Sequence, residues 1–310
     1  MVQAGPLPAL GEVRAAPGWR QVDFVSDLHL HAGDPATLAA WGRYLAQTPA
    51  DAVFILGDLF EVWPGDDCLR ALGSSAAAQD TGLTGLRPAD GAGVDTDADT
   101  ATTEGSVDRA RSFDDTFADS FADTCAQMLR AASRQRPIYF LHGNRDFLLG
   151  EGFAAATGTQ RLADPALLVF GPRKVLLSHG DALCLDDVDY QRFRAQVRDP
   201  AWIEALLSRP LAEREALARD LRAQSEARHR EQPTYADADT HMSRQWLHQA
   251  GADTLVHGHT HRPAEHELGD GLVRRVLSDW DAGAQPPRAE VLRLDTQGQF
   301  QRLRLADSGA

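Results

Sequence analysis

Five short apolar runs, each followed at once by a polar cluster, limit what this chain can fold into more than any other feature. The runs extend over Val22 to Val25, Ala52 to Leu56, Ile138 to Leu141, Lys174 to Leu177 and Thr254 to Val256. Short, β-rich runs of this kind are typical of buried strands in an α/β sheet. Because such sheets carry their functional sites on the loops just beyond the strand ends, we expect the chemistry in the polar clusters.

Length, composition and charge narrow the class of protein. A chain of 310 residues with 43% hydrophobic content can bury a full core, as one large domain or two small ones. The formal net charge of −14, from 45 acidic and 31 basic residues, disfavours a protein that coats nucleic acid, since that function needs a basic footprint. We therefore expect no nucleic-acid partner.

The cysteines and the missing apolar segments indicate the compartment. Cys68, Cys125 and Cys184 are too few and too far apart to suggest a disulfide framework or a cysteine zinc site, which fits a reducing compartment. The segment before Arg20 lacks the apolar core of a signal peptide, and no later stretch approaches the ~20 apolar residues of a membrane span. We expect a cytoplasmic protein that is soluble or only peripherally attached to a membrane.

Three segments stand apart within the predicted domain organisation, in which residues 20–310 form the catalytic domain. Residues 1–19 are rich in Gly, Pro and Ala and predict a flexible extension. Residues 71–109 consist largely of Ala, Gly, Asp, Thr and Ser, and they predict a disordered acidic insert because this composition cannot bury enough surface to become ordered. Residues 188–250 are helical in pattern and rich in Arg, which fits a helical lid over the site or an ordinary surface hairpin equally well.

Two local patterns predict element boundaries. Asp199 followed by Pro200 is an N-cap and first-turn pair, and it predicts a helix in the lid segment. The apolar stripe of that helix consists of Trp202, Ile203, Leu206 and Leu207. At the C-terminus, Ala289 to Leu294 and Phe300 to Leu305 alternate in strand fashion and predict a hairpin at a sheet edge.

The polar clusters contain residue types that bind metal ions. They are Ser26-Asp27-Leu28-His29, Gly57-Asp58-Leu59-Phe60-Glu61, Gly143-Asn144-Arg145-Asp146, Ser178-His179-Gly180-Asp181 and His257-Gly258-His259-Thr260-His261. The candidate ligands among them are Asp27, His29, Asp58, Asn144, His179, His259 and His261. Each cluster alone is a weak signal, but all of them in order at strand ends form a specific one. For His257 a structural role is favoured, since its neighbours can provide the ligation.

This set of nitrogen and oxygen ligands is enough for two metal ions about 3.5–4 Å apart, the arrangement of enzymes that hydrolyse phosphate or diphosphate bonds. We expect one ion at Asp27, His29 and His261, and the other at Asn144, His179 and His259. Asp58 would be shared through its two oxygens. Mixed histidine and carboxylate sites suit Mn²⁺, Fe²⁺ or Zn²⁺, and the amide and carboxylate oxygens favour two Mn²⁺ ions as cofactors.

The same clusters resemble the signature of the calcineurin-like metallophosphoesterase superfamily, which runs Asp-x-His, Gly-Asp, Gly-Asn-His-Asp/Glu, His and Gly-His-x-His. Within it, the chain is similar to the UDP-2,3-diacylglucosamine diphosphatases of lipid A biosynthesis, through longer and more specific matches. These matches are Ser26-Asp27-Leu28-His29-Leu30, Gly57-Asp58-Leu59-Phe60-Glu61-Val62-Trp63, Gly65-Asp66-Asp67, His142-Gly143-Asn144-Arg145-Asp146-Phe147-Leu148-Leu149-Gly150, His179-Gly180-Asp181, Asp186-Asp187 and His257 to Pro263. The matches cover most of the chain.

The resemblance implies an α/β fold of two stacked mixed β-sheets flanked by helices, an αββα architecture, with a helical lid that receives acyl chains. It implies hydrolysis of UDP-2,3-diacylglucosamine by metal-activated water at the α-phosphorus, giving UMP and 2,3-diacylglucosamine 1-phosphate (lipid X). A lipid-linked substrate in turn implies peripheral contact with the cytoplasmic face of the inner membrane. The apolar stripe of the lid fits this contact or the core of the lid equally well.

The resemblance also implies roles for individual residues. The implied catalytic residues are Asp58, Asn144 and Arg145. The implied substrate contacts are Asn144, Arg145, Asp187, Ser225, His229, Gln232 and His259. The stretch after Ser225 keeps the family pattern less well, because Lys is often found where this chain has His229 and Gln232.

Arg145 departs from the superfamily pattern, which usually has His at this position. Cleavage of a diphosphate expels a phosphate monoester anion that leaves without a proton, whereas the added negative charge of such a substrate needs a cation. Arg145 therefore favours a diphosphate as the substrate.

Two other functions compete with this interpretation. A two-metal phosphodiesterase acting on nucleotides or nucleic acid would use the same scaffold, although the missing Gly-Asn-His sequence and the acidic charge count against it. A non-catalytic binding scaffold would be expected to have lost ligands, because clustered carboxylates and imidazoles are costly to hold together without an ion. All the candidate ligands are present.

Overall fold

The structure, a computed structural model, describes residues 7–69, 108–220 and 237–305. The predicted acidic insert, residues 71–109, lies outside the described residues except for its last two, which belong to a helix.

The described residues form two six-stranded mixed sheets with helices packed outside them. The strands in chain order are β1 (Gly11–Arg14), β2 (Gln21–Val25), β3 (Ala52–Leu56), β4 (Ile138–Leu141), β5 (Gln160–Arg161), β6 (Ala166–Phe170), β7 (Arg173–Leu177), β8 (Thr254–His257), β9 (Ala264–Gly269), β10 (Leu272–Val276), β11 (Glu290–Asp295) and β12 (Phe300–Arg304). The helices are α1 (Pro35–Gln47), α2 (Asp108–Ser133), α3 (Glu151–Thr157), α4 (Val188–Val197), α5 (Pro200–Leu207), α6 (residues 211–220) and α7 (Thr240–Ala250).

Strand order places the predicted chemistry at one edge of the sheets. The first sheet runs β12-β11-β2-β3-β4-β5, with β2 to β5 parallel, and the second runs β1-β6-β7-β8-β10-β9, with β7, β8 and β10 parallel. All five predicted strands are confirmed, and the predicted C-terminal hairpin is the antiparallel pair β11–β12 at a sheet edge. The carboxyl ends of the parallel strands carry the polar clusters.

The two sheets stack face to face through a buried apolar layer, so the predicted αββα architecture is confirmed. Phe24 and Phe54 on the first sheet, with ring centroids 5.5 Å apart, belong to the same buried cluster as Phe170 and Val175 on the second. Each such side chain contributes roughly 1.5–3 kcal/mol through removal of apolar surface from water. This layer fixes the loops of both sheets relative to each other.

The outer face of each sheet is covered by helices. Trp41 of α1, Leu129 of α2 and Phe153 of α3 are fully buried in one apolar cluster with side chains of the first sheet. Trp246 and Leu247 of α7 cover the second sheet.

The structure corrects the prediction of a flexible extension over residues 1–19 in the part that it describes, residues 7–19. Residues Gly11–Arg14 form β1, which pairs in parallel with β6. Val13 is 8% exposed and fills part of the layer between the sheets, which is the physical reason that this segment is ordered. The segment has few apolar residues, so its sequence did not indicate the strand.

The structure also corrects the predicted lid over residues 188–250. Helix α7, Thr240–Ala250, is part of the catalytic domain, because Met242, Trp246 and Leu247 are buried against Leu176 and Leu255 of the second sheet. The helices of the predicted lid that the structure describes are therefore α4, α5 and α6, within residues 188–220, and they are called the lid helices below.

Lid helix α5 begins as predicted, since the Asp199 side chain accepts a hydrogen bond from the backbone N–H of Trp202 at 3.0 Å. Its apolar stripe faces mainly inward: Leu206 is buried and Trp202 packs against the core, whereas Leu207 is 41% exposed. Most of the stripe therefore packs against the apolar cluster that covers the outer face of the first sheet. Among the described residues, no helix is both long enough and apolar enough to cross a membrane.

Candidate active site

The loops after the parallel strands bend sharply at the predicted ligands. Five of these residues have left-handed backbone: Asp27 (φ 54°), His29 (φ 47°), Asp58 (φ 52°), His259 (φ 66°) and His261 (φ 52°). This conformation is uncommon outside glycine and costs of order 1–3 kcal/mol at each residue, so it is found where the surrounding structure imposes it, often at functional sites. The bends turn the side chains back toward the strand ends.

Two glycines allow the ligand loops to approach each other. Gly57 has φ 89°, and a Cβ atom there would lie 2.5 Å from Nδ1 of His179. A Cβ on Gly143 would collide with the carboxylate of Asp58. Larger residues at these positions would force the loops apart.

One group of predicted ligands consists of Asp27, His29 and His261. The Nε2 atoms of His29 and His261 lie 3.2 Å apart, and Nε2 of His261 lies 3.3 Å from Oδ1 of Asp27. The opposite ring nitrogen of His29, Nδ1, lies 3.0 Å from Oε2 of Glu61. Glu61 thus lies behind the His29 ring as a charge partner, on the side where carboxylates are found at metal-binding histidines.

The other group consists of Asn144, His179 and His259. Oδ1 of Asn144 lies 2.9 Å from Nε2 of His179 and 3.0 Å from Nδ1 of His259. Nδ1 of His179 lies 2.9 Å from the carbonyl oxygen of Leu56, which makes Nδ1 the donor and leaves the Nε2 lone pair for the site.

Asp58 lies between the two groups. Its Oδ2 is 3.9 Å from Nε2 of His29 and 3.7 Å from Nε2 of His179, while its Oδ1 accepts a hydrogen bond from the backbone N–H of Arg145 at 2.9 Å. Asp27, Asp58 and His179 also offer ligand atoms within 4.8 Å of one another. The structure therefore brings all seven predicted ligands to one place.

Burial and charge make this place suited to cations. Burial opposes ionisation of Asp27, but the charges of His261, His179 and His29 hold the pKa of Asp27 well below its usual range. Burial would lower the pKa of His179, but the carboxylates of Asp58 and Asp27 raise it to about 9. Buried carboxylates with converging imidazole and amide atoms are a donor set for divalent metals, and these residues fit such ions.

Asp146 supports two of the ligand loops, a role that the sequence reasoning did not assign. Its Oδ2 accepts a hydrogen bond from the backbone N–H of Leu59 at 2.8 Å, and its Oδ1 accepts one from Gly143 at 2.8 Å. Burial and the charge of Asp58 raise the pKa of Asp146 to about 6. No role was predicted for Glu61 either, although both acids belong to polar clusters that follow strands.

Asp181 joins lid helix α4 to the site. Its Oδ2 accepts hydrogen bonds from the Tyr190 hydroxyl at 2.8 Å and from Nε of Arg194 at 2.9 Å. Arg198, at the end of the same helix, donates to the carbonyl oxygen of Gly143 at 2.8 Å. The base of the lid is thereby fixed to the ligand loops.

Arg145 reaches a cleft beside the first ligand group. Its side chain is 20% exposed, Nη1 lies 3.4 Å from Oε1 of Glu61, and the cleft of about 250 Å³ is also lined by His29 and His261.

Asp187, another predicted substrate contact, does not line this cleft. Asp187 is exposed, and its carboxylate accepts a hydrogen bond from the backbone N–H of Tyr190 at 3.0 Å as the cap of α4. Ser225, His229 and Gln232 lie outside the described residues.

Similar sequences show the family to which this chain belongs. The model of the calcineurin-like phosphoesterase family matches residues 97–263. A UDP-2,3-diacylglucosamine hydrolase of Chromobacterium violaceum is 38% identical, over 89% of this chain and 96% of the relative. A second, of Aromatoleum aromaticum, is 41% identical, over 86% of this chain and 95% of the relative. The chain belongs to the calcineurin-like phosphoesterases, within the UDP-2,3-diacylglucosamine hydrolase family.

The family match covers only part of the site. The family match includes Asn144, His179, His259 and His261, whereas Asp27 and Asp58 precede it in the chain. The structure places Asp58 near His179 and Asp27 near His261, so the site of this phosphoesterase combines residues that precede and follow the segment 70–107.

Proposed function

We propose that the chain hydrolyses the diphosphate bond of UDP-2,3-diacylglucosamine by attack of water at the α-phosphorus. The products are UMP and 2,3-diacylglucosamine 1-phosphate, a step of lipid A biosynthesis. The observation that carries this proposal is Arg145, a permanent cation that lines the cleft beside His29 and His261. The names of the relatives support the substrate.

Arg145 suits a diphosphate because of charge. The substrate has two neighbouring phosphates, and the guanidinium group can neutralise them with paired N–H donors. With attack at the α-phosphorus, 2,3-diacylglucosamine 1-phosphate leaves as an anion, so this position needs no general acid. Glu61, 3.4 Å from Arg145, holds the guanidinium at the mouth of the ligand loops.

Two divalent ions, with Mn²⁺ as the favoured metal, complete the proposal. Asp27, His29 and His261 would hold one ion, and Asn144, His179 and His259 the other, with Asp58 shared. Such ions lower the pKa of a water molecule and stabilise charge on phosphoryl oxygens.

The chain's own residues position these groups. The backbone N–H of Arg145 donates a hydrogen bond to Asp58. This bond fixes the position of the Asp58 carboxylate relative to the loop that carries the guanidinium group. The Leu56 carbonyl sets the ring orientation of His179, and Glu61 places a negative charge beside the His29 ring. Acyl chains would pack under the lid, with Asp187, Ser225, His229, Gln232 and His259 as further substrate contacts.

A diacylated substrate places the enzyme at a membrane surface. We propose peripheral attachment to the cytoplasmic face of the inner membrane, where anionic lipids attract basic segments. The exposed Leu207 of the lid supports this proposal.

The test is hydrolysis of the lipid diphosphate in H₂¹⁸O, with and without Mn²⁺. Attack at the α-phosphorus puts the ¹⁸O into UMP, and we expect UMP release only with the metal. Label in the sugar phosphate would refute the site of attack. Turnover of cyclic nucleotides or single-stranded DNA in preference to the lipid would favour the competing phosphodiesterase function, and mass-spectrometric metal analysis would establish the number of ions.

A further inference from the structure

The cleft beside the first ligand group has a second wall that the proposed reaction does not yet use. It is formed by Asp279, Asp281 and Arg288, which line the cleft together with Arg145. The carboxylates and the guanidinium of this wall belong to the loop 279–288, between β10 and β11. The cleft has a volume of about 250 Å³.

The lid lies on the other side of the site. Tyr190 of α4 packs against His259, with ring centroids 5.6 Å apart, and Trp202 of α5 packs against Phe147 at 6.1 Å. Among the described residues of 188–220, none lines the cleft. A diphosphate at the ligand groups therefore has one end toward the lid and the other toward the cleft.

The 279–288 loop is held in place before any ligand arrives. The backbone N–H of Trp280 donates to the carbonyl oxygen of Asp27 at 3.0 Å, and Asp281 and Arg288 exchange two backbone hydrogen bonds of 2.7 and 2.9 Å. Ala282 N–H also donates to Oγ1 of Thr37 at 2.9 Å. A wall fixed in this way loses little conformational entropy on binding.

The side chains of the wall match a pair of adjacent hydroxyl groups. Arg288 donates to Asp279 at 2.9 Å and to Asp281 at 3.2 Å, which keeps the two carboxylates next to each other. Each carboxylate has about four lone-pair positions, so acceptors remain after these bonds. The 2′ and 3′ hydroxyls of a ribose are two neighbouring donors.

We propose that this cleft binds the nucleotide half of the substrate, with the α-phosphate at Arg145 and the ribose diol at Asp279 and Asp281. The inference rests on the proposed function, because it assigns a place to the UMP that the reaction releases. It makes the 279–288 loop the determinant of selectivity for ribonucleotides.

Titration calorimetry with UMP and with 2′,3′-dideoxyuridine monophosphate tests the assignment on the full chain with Mn²⁺ present. We expect UMP to bind about tenfold more tightly, as for a hydrogen bond to a charged group. Asp281→Asn should shrink this ratio, and Asp279→Asn provides a second variant if the first fails to fold.

Asp270→Asn is the matched control. Asp270 also pairs with an arginine, Arg244, and its side chain is 73% exposed, but it lies in the β9–β10 turn at the opposite end of the sheet. This variant should keep the wild-type ratio. Equal affinity of the wild type for the two nucleotides, or an unchanged ratio in both cleft variants, would overturn the proposal.

The two proposals fail separately. Calorimetry needs no turnover, so nucleotide selectivity can be measured even if the lipid diphosphate is not hydrolysed. Conversely, lipid hydrolysis with no selectivity for the ribose would leave the reaction intact and remove the assignment of the cleft.

Discussion

The ring of Tyr190 lies against the imidazole of His259, with centroids 5.6 Å apart, while its hydroxyl donates to the buried Asp181. The contact connects the first lid helix to a candidate metal ligand. Asp181 also accepts from Arg194 and is itself fully buried, so its charge is balanced by the lid rather than by water.

Asp181→Asn should lower the free energy of unfolding at pH 7 by about 3 kcal/mol, because it leaves the half-buried Arg194 without its charge partner. Urea denaturation measures this effect. Asp189→Asn is the control: its partner Arg192 lies on the same helix, but both side chains are more than 70% exposed, at 84% and 75%, and the loss should stay below about 0.5 kcal/mol.

The same variant predicts a pH dependence. Burial raises the pKa of Asp181, but the charges of Arg194 and Arg198 outweigh burial and hold it below its usual range. A depressed pKa contributes stability that is present above the unfolded value and is lost as the pH falls. The difference between wild type and Asp181→Asn should therefore shrink below about pH 4, and a constant difference down to pH 2 would contradict this explanation.

Removal of metal should lower the melting temperature and allow His179 to bind a proton. The metal-free pKa of His179 is about 9, since the carboxylates of Asp58 and Asp27 outweigh burial, so the ring carries a proton at pH 7. A metal needs the neutral ring. Affinity for Mn²⁺ should therefore rise with pH up to about 9, with proton uptake by the buffer on binding.

Calorimetry in two buffers of different ionisation enthalpy measures that proton release.

In a melting experiment, Mn²⁺ at about 100 times its Kd should stabilise the protein by about 2.7 kcal/mol. The variant Asp58→Asn should lose most of this shift. Full retention of the shift would show that Asp58 is not a ligand.

Arg145→Gln should reduce kcat/KM for the lipid diphosphate by about 10²–10³, the size of effect seen when a preorganised charge-stabilising donor is removed. Metal content should stay at the wild-type level, because the backbone N–H of residue 145, which binds Asp58, is retained. Arg145→Lys keeps the charge but not the paired donors, so its kcat/KM should lie between the values of the wild type and Arg145→Gln. Loss of metal together with activity would instead make Arg145 a structural residue.

Arg214 anchors helix α6 to the loop after β3. Its side chain is almost fully buried, at 3% exposure, and it donates to the Pro64 carbonyl and the carboxylate of Asp67. Arg214→Ala should raise KM for a substrate with long acyl chains more than for a short-chain analogue, and it should cost about 1–3 kcal/mol of stability through the unpaired Pro64 carbonyl. Arg192→Ala, at an exposed ion pair, is the matched control.

The sequence allowed prediction of the strands and the ligands because both leave local signals. The apolar runs ended where the structure ends β3 and β4, and the glycine beside Asp58 marked a close approach that the contact with His179 explains. A short apolar run followed by Asp, His or Asn can be recognised in the sequence without knowing which residues it contacts in the fold.

What could not be predicted depends on contacts between distant parts of the chain. Strand β1 carries one buried valine, Val13, and its order comes from pairing with β6, about 150 residues later. Helix α7 resembled the lid in composition, and only its burial against Leu255 assigns it to the domain. The wall residues Asp279 and Arg288 belong to none of the sequence motifs. They line the cleft because the folded chain brings them there, and their spacing in the sequence does not indicate it.

Asp146 holds the backbone of both Leu59 and Gly143 without being a predicted ligand, so the distance between two ligand loops is fixed by the chain itself. A site built in this way does not have to fold around its ion. Loading and unloading would then be governed by ion dehydration and escape, and different divalent metals would exchange without refolding. The metal found in the purified enzyme would accordingly follow the supply in its surroundings.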